Sequence, residues 1–220
     1  MDQWLVLLVA LLFVALFGGL SLVRKEPLSI RFAAECLGLT AIAYIIYGAT
    51  RYLVSPVLFL LILYVVTMRA QILIDLGTVL ARRGNCALAE RLYEAAQGAG
   101  AGGSVKYVAK INIGSCLVKE KRLDEAVQLL RGIADEAEKG QVAPKYEAAC
   151  RYNLGLALLR SGRSAEGVRQ LNLVEELLPA SIYGVGARAE LKRYRQTASA
   201  AGGDVPPAPE SDAGKPKQEV

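Results

Sequence analysis

Few side chains in this chain could do covalent or metal chemistry. Its 220 residues include no histidine, which removes both the commonest general base and the commonest metal ligand. The four cysteines, Cys36, Cys86, Cys116 and Cys150, show no Cys-x-x-Cys spacing. They read as small buried residues rather than as a redox or metal set. The adjacent carboxylates Asp124-Glu125 and Glu175-Glu176 fall on helix starts and faces, where solvated charge is ordinary. The glycine-rich stretch 98–103 follows no strand and lacks the lysine of a phosphate loop, so it reads as a turn. Glu35 is different, because a carboxylate inside an apolar run is a functional candidate by default. Arg31 lies four residues earlier on the same helical face, so an interfacial ion pair accounts for it as well. No catalytic, cofactor-binding or metal-ligating residues are expected, and the chain reads as a non-enzyme.

The elements that would position these residues begin with apolar runs, which account for much of an apolar content of 53%. Residues 4–23, WLVLLVALLFVALFGGLSLV, supply 20 positions, roughly the 30 Å that a hydrocarbon core requires. A cleaved signal peptide is the alternative, but the MDQ start carries no base and the LVRKE exit has no small-x-small site. A second run covers 32–50. A third covers 52–68, with Ser55-Pro56 as N-cap and first helical residue. Arg69 and Asp75 limit the third, so two segments rather than three is the alternative. Basic residues set the orientation. The N-terminus has none, the first loop has Arg24, Lys25 and Arg31, and Arg69, Arg82, Arg83 and Arg91 follow the third run. An integral membrane protein results, its N-terminus outside and everything after residue 69 cytoplasmic, with a bacterial inner membrane as the expected location. The lipid bilayer is then one partner, and the net charge of +5 needs no nucleic acid to explain it.

Residues 70–196 are helical in period and nearly free of proline, and they repeat. From Leu76 the chain reads L-G-x2-L-x3-G-x4-A-x3-Y-x2-A, through Leu80, Gly84, Ala89, Tyr93 and Ala96. From Ile113 the same frame runs through Leu117, Lys121, Ala126, Leu130 and Ile133, and from Leu154 through Leu158, Gly162, Gly167, Leu171 and Val174. The leading glycines, Gly77, Gly114 and Gly155, lie mid-helix, where glycine costs about 1 kcal/mol against alanine. They make sense only if another helix packs closely there. Gly84 and Gly162 stand where a first helix must stop and turn. The small residues at 89, 126 and 167 let a second helix approach, and Tyr93, Leu130 and Leu171 are its large apolar plugs.

This pattern resembles the tetratricopeptide repeat, a helix-turn-helix unit of 34 residues. The glycine spacings here are 37 and 41 residues, so the turns between repeats carry insertions, and Lys121 replaces a turn glycine. The expected fold is all-α: three N-terminal transmembrane helices (membrane domain 1–69), then a short α-solenoid over 70–196. Its repeats lie at about 70–103, 107–140 and 148–181. A capping helix at 183–196 turns Val185, Ala189 and Leu191 inward and keeps Lys192, Arg193 and Arg195 wet. Residues 197–220, rich in proline, glycine and small polar residues, are expected to be disordered.

The resemblance implies a concave groove lined by the first helix of each repeat, taking a peptide or helix of a partner protein. Carried over by position, its residues are Gln71, Ile74, Thr78 and Arg82; Val108, Ile111, Ser115 and Lys119; and Ala149, Tyr152, Leu156 and Arg160. Asn112 and Asn153 stand where the family's asparagines bond a peptide backbone. The lysine and asparagine of the family's chaperone clamp are replaced in the first repeat by Ile74 and Thr78, so that role is not implied. Arg82, Lys119 and Arg160 share one repeat position. They form either a ladder of charge along the groove, suited to an acidic amphipathic helix, or cations favouring helix C-termini, and both readings stand. The expected function is a membrane-anchored scaffold for protein-protein interaction. The alternative is a small subunit of a membrane transport, secretion or biosynthetic complex, with the spans carrying the function. Polar groups for that second role are thin: Glu35, Thr40, Tyr44, Tyr47 and Tyr64.

Overall fold

The computed structural model describes residues 4–23, 30–50, 55–99 and 103–200. Among them are nine helices and no strand: α1 (Trp4–Val23), α2 (Ile30–Thr50), α3 (Pro56–Arg82), α4 (Cys86–Gly98), α5 (Gly103–Lys119), α6 (Leu123–Glu138), α7 (Pro144–Arg160), α8 (Ser164–Leu177) and α9 (Ile182–Ala200). The inserted turn at 100–102, the start of the third run at 52–54 and the tail beyond 200 lie outside the described residues. Helix α9 continues four residues past the expected start of the tail at 197.

The first three helices pack around Val6, Phe13, Cys36, Phe59 and Leu63, with Phe13 against Phe17 and Phe32, and Phe17 against Tyr64. Two of them, Ile30–Thr50 and Pro56–Arg82, are long and apolar enough to cross a membrane. This corrects the expectation of three spans. Helix α1 is 20 residues long, Trp4–Val23, and its described side chains, over Trp4–Gly19, are apolar. The third run begins at Pro56, with Ser55 as N-cap, and leads directly into the first helix of the first repeat, as the uninterrupted sequence from Pro56 to Arg83 implies. It continues without a break to Arg82, because no proline or turn residue interrupts it before Gly84.

From α3 onward the order of packing is that of a solenoid. Each helix packs on the next, and α3, α5, α7 and α9 also pack on one another in sequence. The second helices of the pairs, α4, α6 and α8, pack through their backbones only on their neighbours in the chain. The pairing within a repeat is set by the leading glycines. A Cβ on Gly77 would sit 2.7 Å from the Tyr93 ring, one on Gly114 2.6 Å from Leu130, and one on Gly155 2.8 Å from Leu171. Each plug therefore enters the space where a side chain is missing, and all three are fully buried. The turn residues Gly84, Lys121 and Gly162 have φ of +86°, +63° and +81°, ending the first helices in the left-handed conformation.

The cap corrects the sequence expectation in detail. Helix α9 takes the place of a fourth first helix, but its inward face is Gly184, Ala187 and Leu191, with Tyr194 half-buried. Leu191 was placed inward, and it is. Val185 and Ala189 point to solvent instead, Val185 at 55% exposure. The helical period of three and four runs 184–187–191–194, one step out of phase with 185 and 189.

Candidate partner-binding surface

The repeat frame puts four positions of each first helix in question, and the structure divides them. Ile74 and Ile111 are buried, at 3% and 4% exposure, and Ala149 at 5%. Ile74 packs with Ala109 and Cys116 of α5, and Ile111 with Ala149 and Cys150 of α7. Tyr152, at the same repeat position, lies against the Tyr183 ring at 5.8 Å and over Gly186 of α9. This position seals one first helix to the next, so Ile74 and Ile111, expected to face a partner, form the core between repeats, and Ala149, one turn earlier on α7 than Tyr152, joins the same core. The sequence frame missed this because positions 71, 74, 78 and 82 share one helical arc at about 100° per residue, and a shared arc does not tell which of its positions the neighbouring first helix will cover.

What remains exposed or half-exposed is mostly polar, with Val108 and Leu156 the apolar members. Gln71 is exposed and donates to Asp75 at 3.0 Å. Thr78 donates to the Ile74 carbonyl at 2.9 Å and receives the Tyr93 hydroxyl at 3.3 Å. Val108, Asn112 and Ser115 are half-buried on α5, and Asn153 and Leu156 on α7. Asn153 Nδ2 donates to the Ala149 carbonyl at 2.9 Å, which leaves its carbonyl oxygen for an outside donor. Asp75, in the same repeat position as Asn112 and Asn153, is exposed. The frame shared by all three repeats was the signal that would have found it.

The basic positions have a structural use. Lys119 Nζ donates across the repeat boundary to the Ala81 carbonyl at 3.4 Å, and Arg160 Nη1 to the Val118 carbonyl at 3.3 Å. Each cation thus caps the open C-terminal end of the preceding first helix, where carbonyls lack intrahelical partners. Arg82 is exposed at the first step of the series. These contacts favour the C-terminal cation reading, with the cap serving the preceding helix rather than the residue's own.

Two ion-pair clusters fix the second helices. Arg122 Nη2 meets Glu125 at 2.7 Å and Arg122 Nη1 reaches Glu90 on α4 at 3.1 Å. In the next repeat Arg163 meets Glu166 at 2.7 Å, and Glu166 also holds Arg131 of α6 at 2.6 Å. Arg151, the one buried charged residue among those described, pairs with Glu147 at 2.7 Å and donates to Gln170 at 3.0 Å. In the apolar bundle, Glu35 receives Arg31 Nε at 2.7 Å as expected, and also Arg69 Nη2 at 2.8 Å. The second partner ties α2 to α3 and was not foreseen, since 34 residues separate the pair in sequence.

All four cysteines are free and buried. Burial pushes the thiols of Cys150 and Cys116 up to about 12, with Cys86 beside Cys116 adding to its shift. Such thiols are poor nucleophiles. Among the described residues no group of histidine, cysteine and carboxylate side chains could hold a metal ion.

Neither a curated protein nor a solved structure matches the chain. A family model for the tetratricopeptide repeat matches residues 74–141, from inside α3 to just past α6. The match covers the first two glycine-plug pairs, Gly77 with Tyr93 and Gly114 with Leu130, and the third pair repeats their geometry. Over residues 74–141 the chain is thus similar to the tetratricopeptide repeat, and repeats of that family generally mediate protein-protein interaction.

Proposed function

We propose that this protein is a membrane-anchored, non-enzymatic adaptor that binds a peptide or helix of a partner protein along the exposed side of α3, α5 and α7. The observation that supports it best is the recurrence of exposed and half-exposed residues, all but one of them polar, in one frame. Thr78, Ser115 and Leu156 stand at one position, and Asp75, Asn112 and Asn153 at another. Arg82, Lys119 and Arg160 lie at the end of the same surface, which suits a segment with acidic residues. Membrane anchoring is supported by the apolar side chains of α2 and α3, which point outward: 11% and 17% of their apolar windows are buried. A soluble protein rarely leaves so large an apolar belt uncovered. The N-terminus lies outside and the repeats in the cytoplasm.

The test is photo-crosslinking in native membranes. A photoreactive residue at Thr78, Ser115 or Leu156 should capture one common partner. The same residue at Arg91, Gln128 or Arg169, exposed on the second helices, should not. Capture from the second set alone would overturn the proposed surface. A partner captured only from α1 and α2 would favour the reading as a subunit of a membrane complex.

A further inference from the structure

One exposed face of α3 serves neither the apolar bundle nor the repeats. Phe59 and Leu63 face α1 and α2, while Ile74 and Gly77 face the repeat stack. On the opposite side, Leu58, Leu61 and Val65 are exposed at 53%, 59% and 47%, and Leu76 and Val79 at 52% and 46%, with Ile72 between them half-buried. Leu58, Val65, Ile72 and Val79 recur at intervals of seven. That spacing keeps an apolar seam on one side of a helix over its whole length, the geometry by which two long helices pack together.

A bilayer accounts for the first half of this seam but not the second. The charges of Arg31, Glu35 and Arg69 join α2 to α3 at one level. Leu76 and Val79 lie seven and ten residues beyond Arg69, about 10 and 15 Å further along the helix. Exposed Gln71, Asp75, Arg82 and Arg83 flank them, so this stretch is surrounded by water-seeking groups. An occupant of the whole seam must therefore pair with an apolar helix in the bilayer and with its unbroken extension outside it, in one register. A second copy of α3 has both halves and the same seven-residue interval.

We infer that the chain forms a parallel homodimer through the outer seam of α3, with Val79 of one copy beside Val79 of the other. The parallel sense rests on the membrane orientation proposed above, since two copies inserted alike must run in the same direction. The partner-binding surface plays no part in the inference. Within lipid, close side-chain packing holds the seam, and beyond it burial of Ile72, Leu76 and Val79 adds the hydrophobic contribution.

Disulfide crosslinking of the full chain in membranes tests it. The native cysteines are buried, so the parent chain supplies the background. Leu76→Cys and Val79→Cys should give a band of twice the chain mass under mild oxidation. Gln71→Cys and Arg82→Cys, exposed but on the polar side, should stay at background. In detergent the parent should have the mass of a dimer, and Leu76→Glu/Val79→Glu that of a monomer with unchanged helicity. Equal crosslinking at all four positions, or none at 76 and 79 in folded protein, would overturn the inference. So would an adduct with a different protein at Val79, or a parent chain that is monomeric. None of these results bears on capture at Thr78 or Ser115, so the two proposals fail separately.

Discussion

Lys121 occupies a backbone conformation that the other two repeats give to glycine. Its φ of +63° matches Gly84 and Gly162, and a side chain in this region costs about 1–2 kcal/mol. Lys121→Gly should therefore raise stability by about 1 kcal/mol, after the greater freedom of glycine in the unfolded chain is set against the relief. Thermal unfolding in detergent reads the change. The mid-helix glycines behave in opposite ways. Gly155→Ala should cost about 1–3 kcal/mol, because the new methyl meets buried Leu171 and lies 3.2 Å from the Gly167 carbonyl. Gly132→Ala meets nothing within 4 Å and should stabilise by about 0.5–1 kcal/mol. Cys116 and Cys150 should resist maleimide at pH 8 in the folded protein and react once it is denatured, which mass spectrometry counts. These residue-scale features were unequally legible. The glycines and their plugs were visible as a recurring frame, whereas the strain at Lys121 showed only as a departure from it. The burial of Ile74 and Ile111 was hidden, because a frame in sequence assigns positions to a helix without saying which neighbour each will meet.

Among the elements, the second helices are joined by arginine-carboxylate clusters that differ in detail but repeat in place. Arg163 beside Glu166 holds that carboxyl below its ordinary range, with Arg131 adding to the effect, and Arg122 does the same for Glu125. A carboxyl whose folded pKa is depressed stabilises above its unfolded value of about 4.3, and that contribution is lost as pH falls through the folded value. The melting temperature should be flat from pH 7 to about 5 and fall below about 4.3. Glu166→Gln should flatten part of the fall, measured by thermal scans across that range. The caps between first helices give a separate test. Arg160→Leu removes the donor to the Val118 carbonyl and should lower stability by about 0.5–1.5 kcal/mol. The sequence showed the cations in register but left open whether they served a ligand or a helix end. Only the distances to Ala81 and Val118 show the second use. Likewise the Arg31–Glu35 pair was local and legible, while Arg69 needed the fold to bring it to Glu35.

For the whole molecule, the solenoid was legible because each repeat prints its own signature of glycine, small residue and plug. The number of spans was not, because Arg69 and Asp75 fall inside one unbroken helix, α3, and composition alone does not say where its apolar part ends. Helix α3 belongs to both halves of the protein. Its apolar residues line the bundle, and Gly77 on the same rod receives the first plug of the stack. A helix of 27 residues is about 40 Å long, and the first repeat is clamped to its far end with no hinge between. A rotation of α3 by 10° about its outer end would swing that far end by about 7 Å, given the same rise per residue. The repeat stack would move with it as the arm of a lever. With α3 set in a bilayer as proposed above, bilayer thickness or a neighbouring helix that changed its tilt would thereby change how far the stack stands from the lipid surface, and in which direction its exposed face looks.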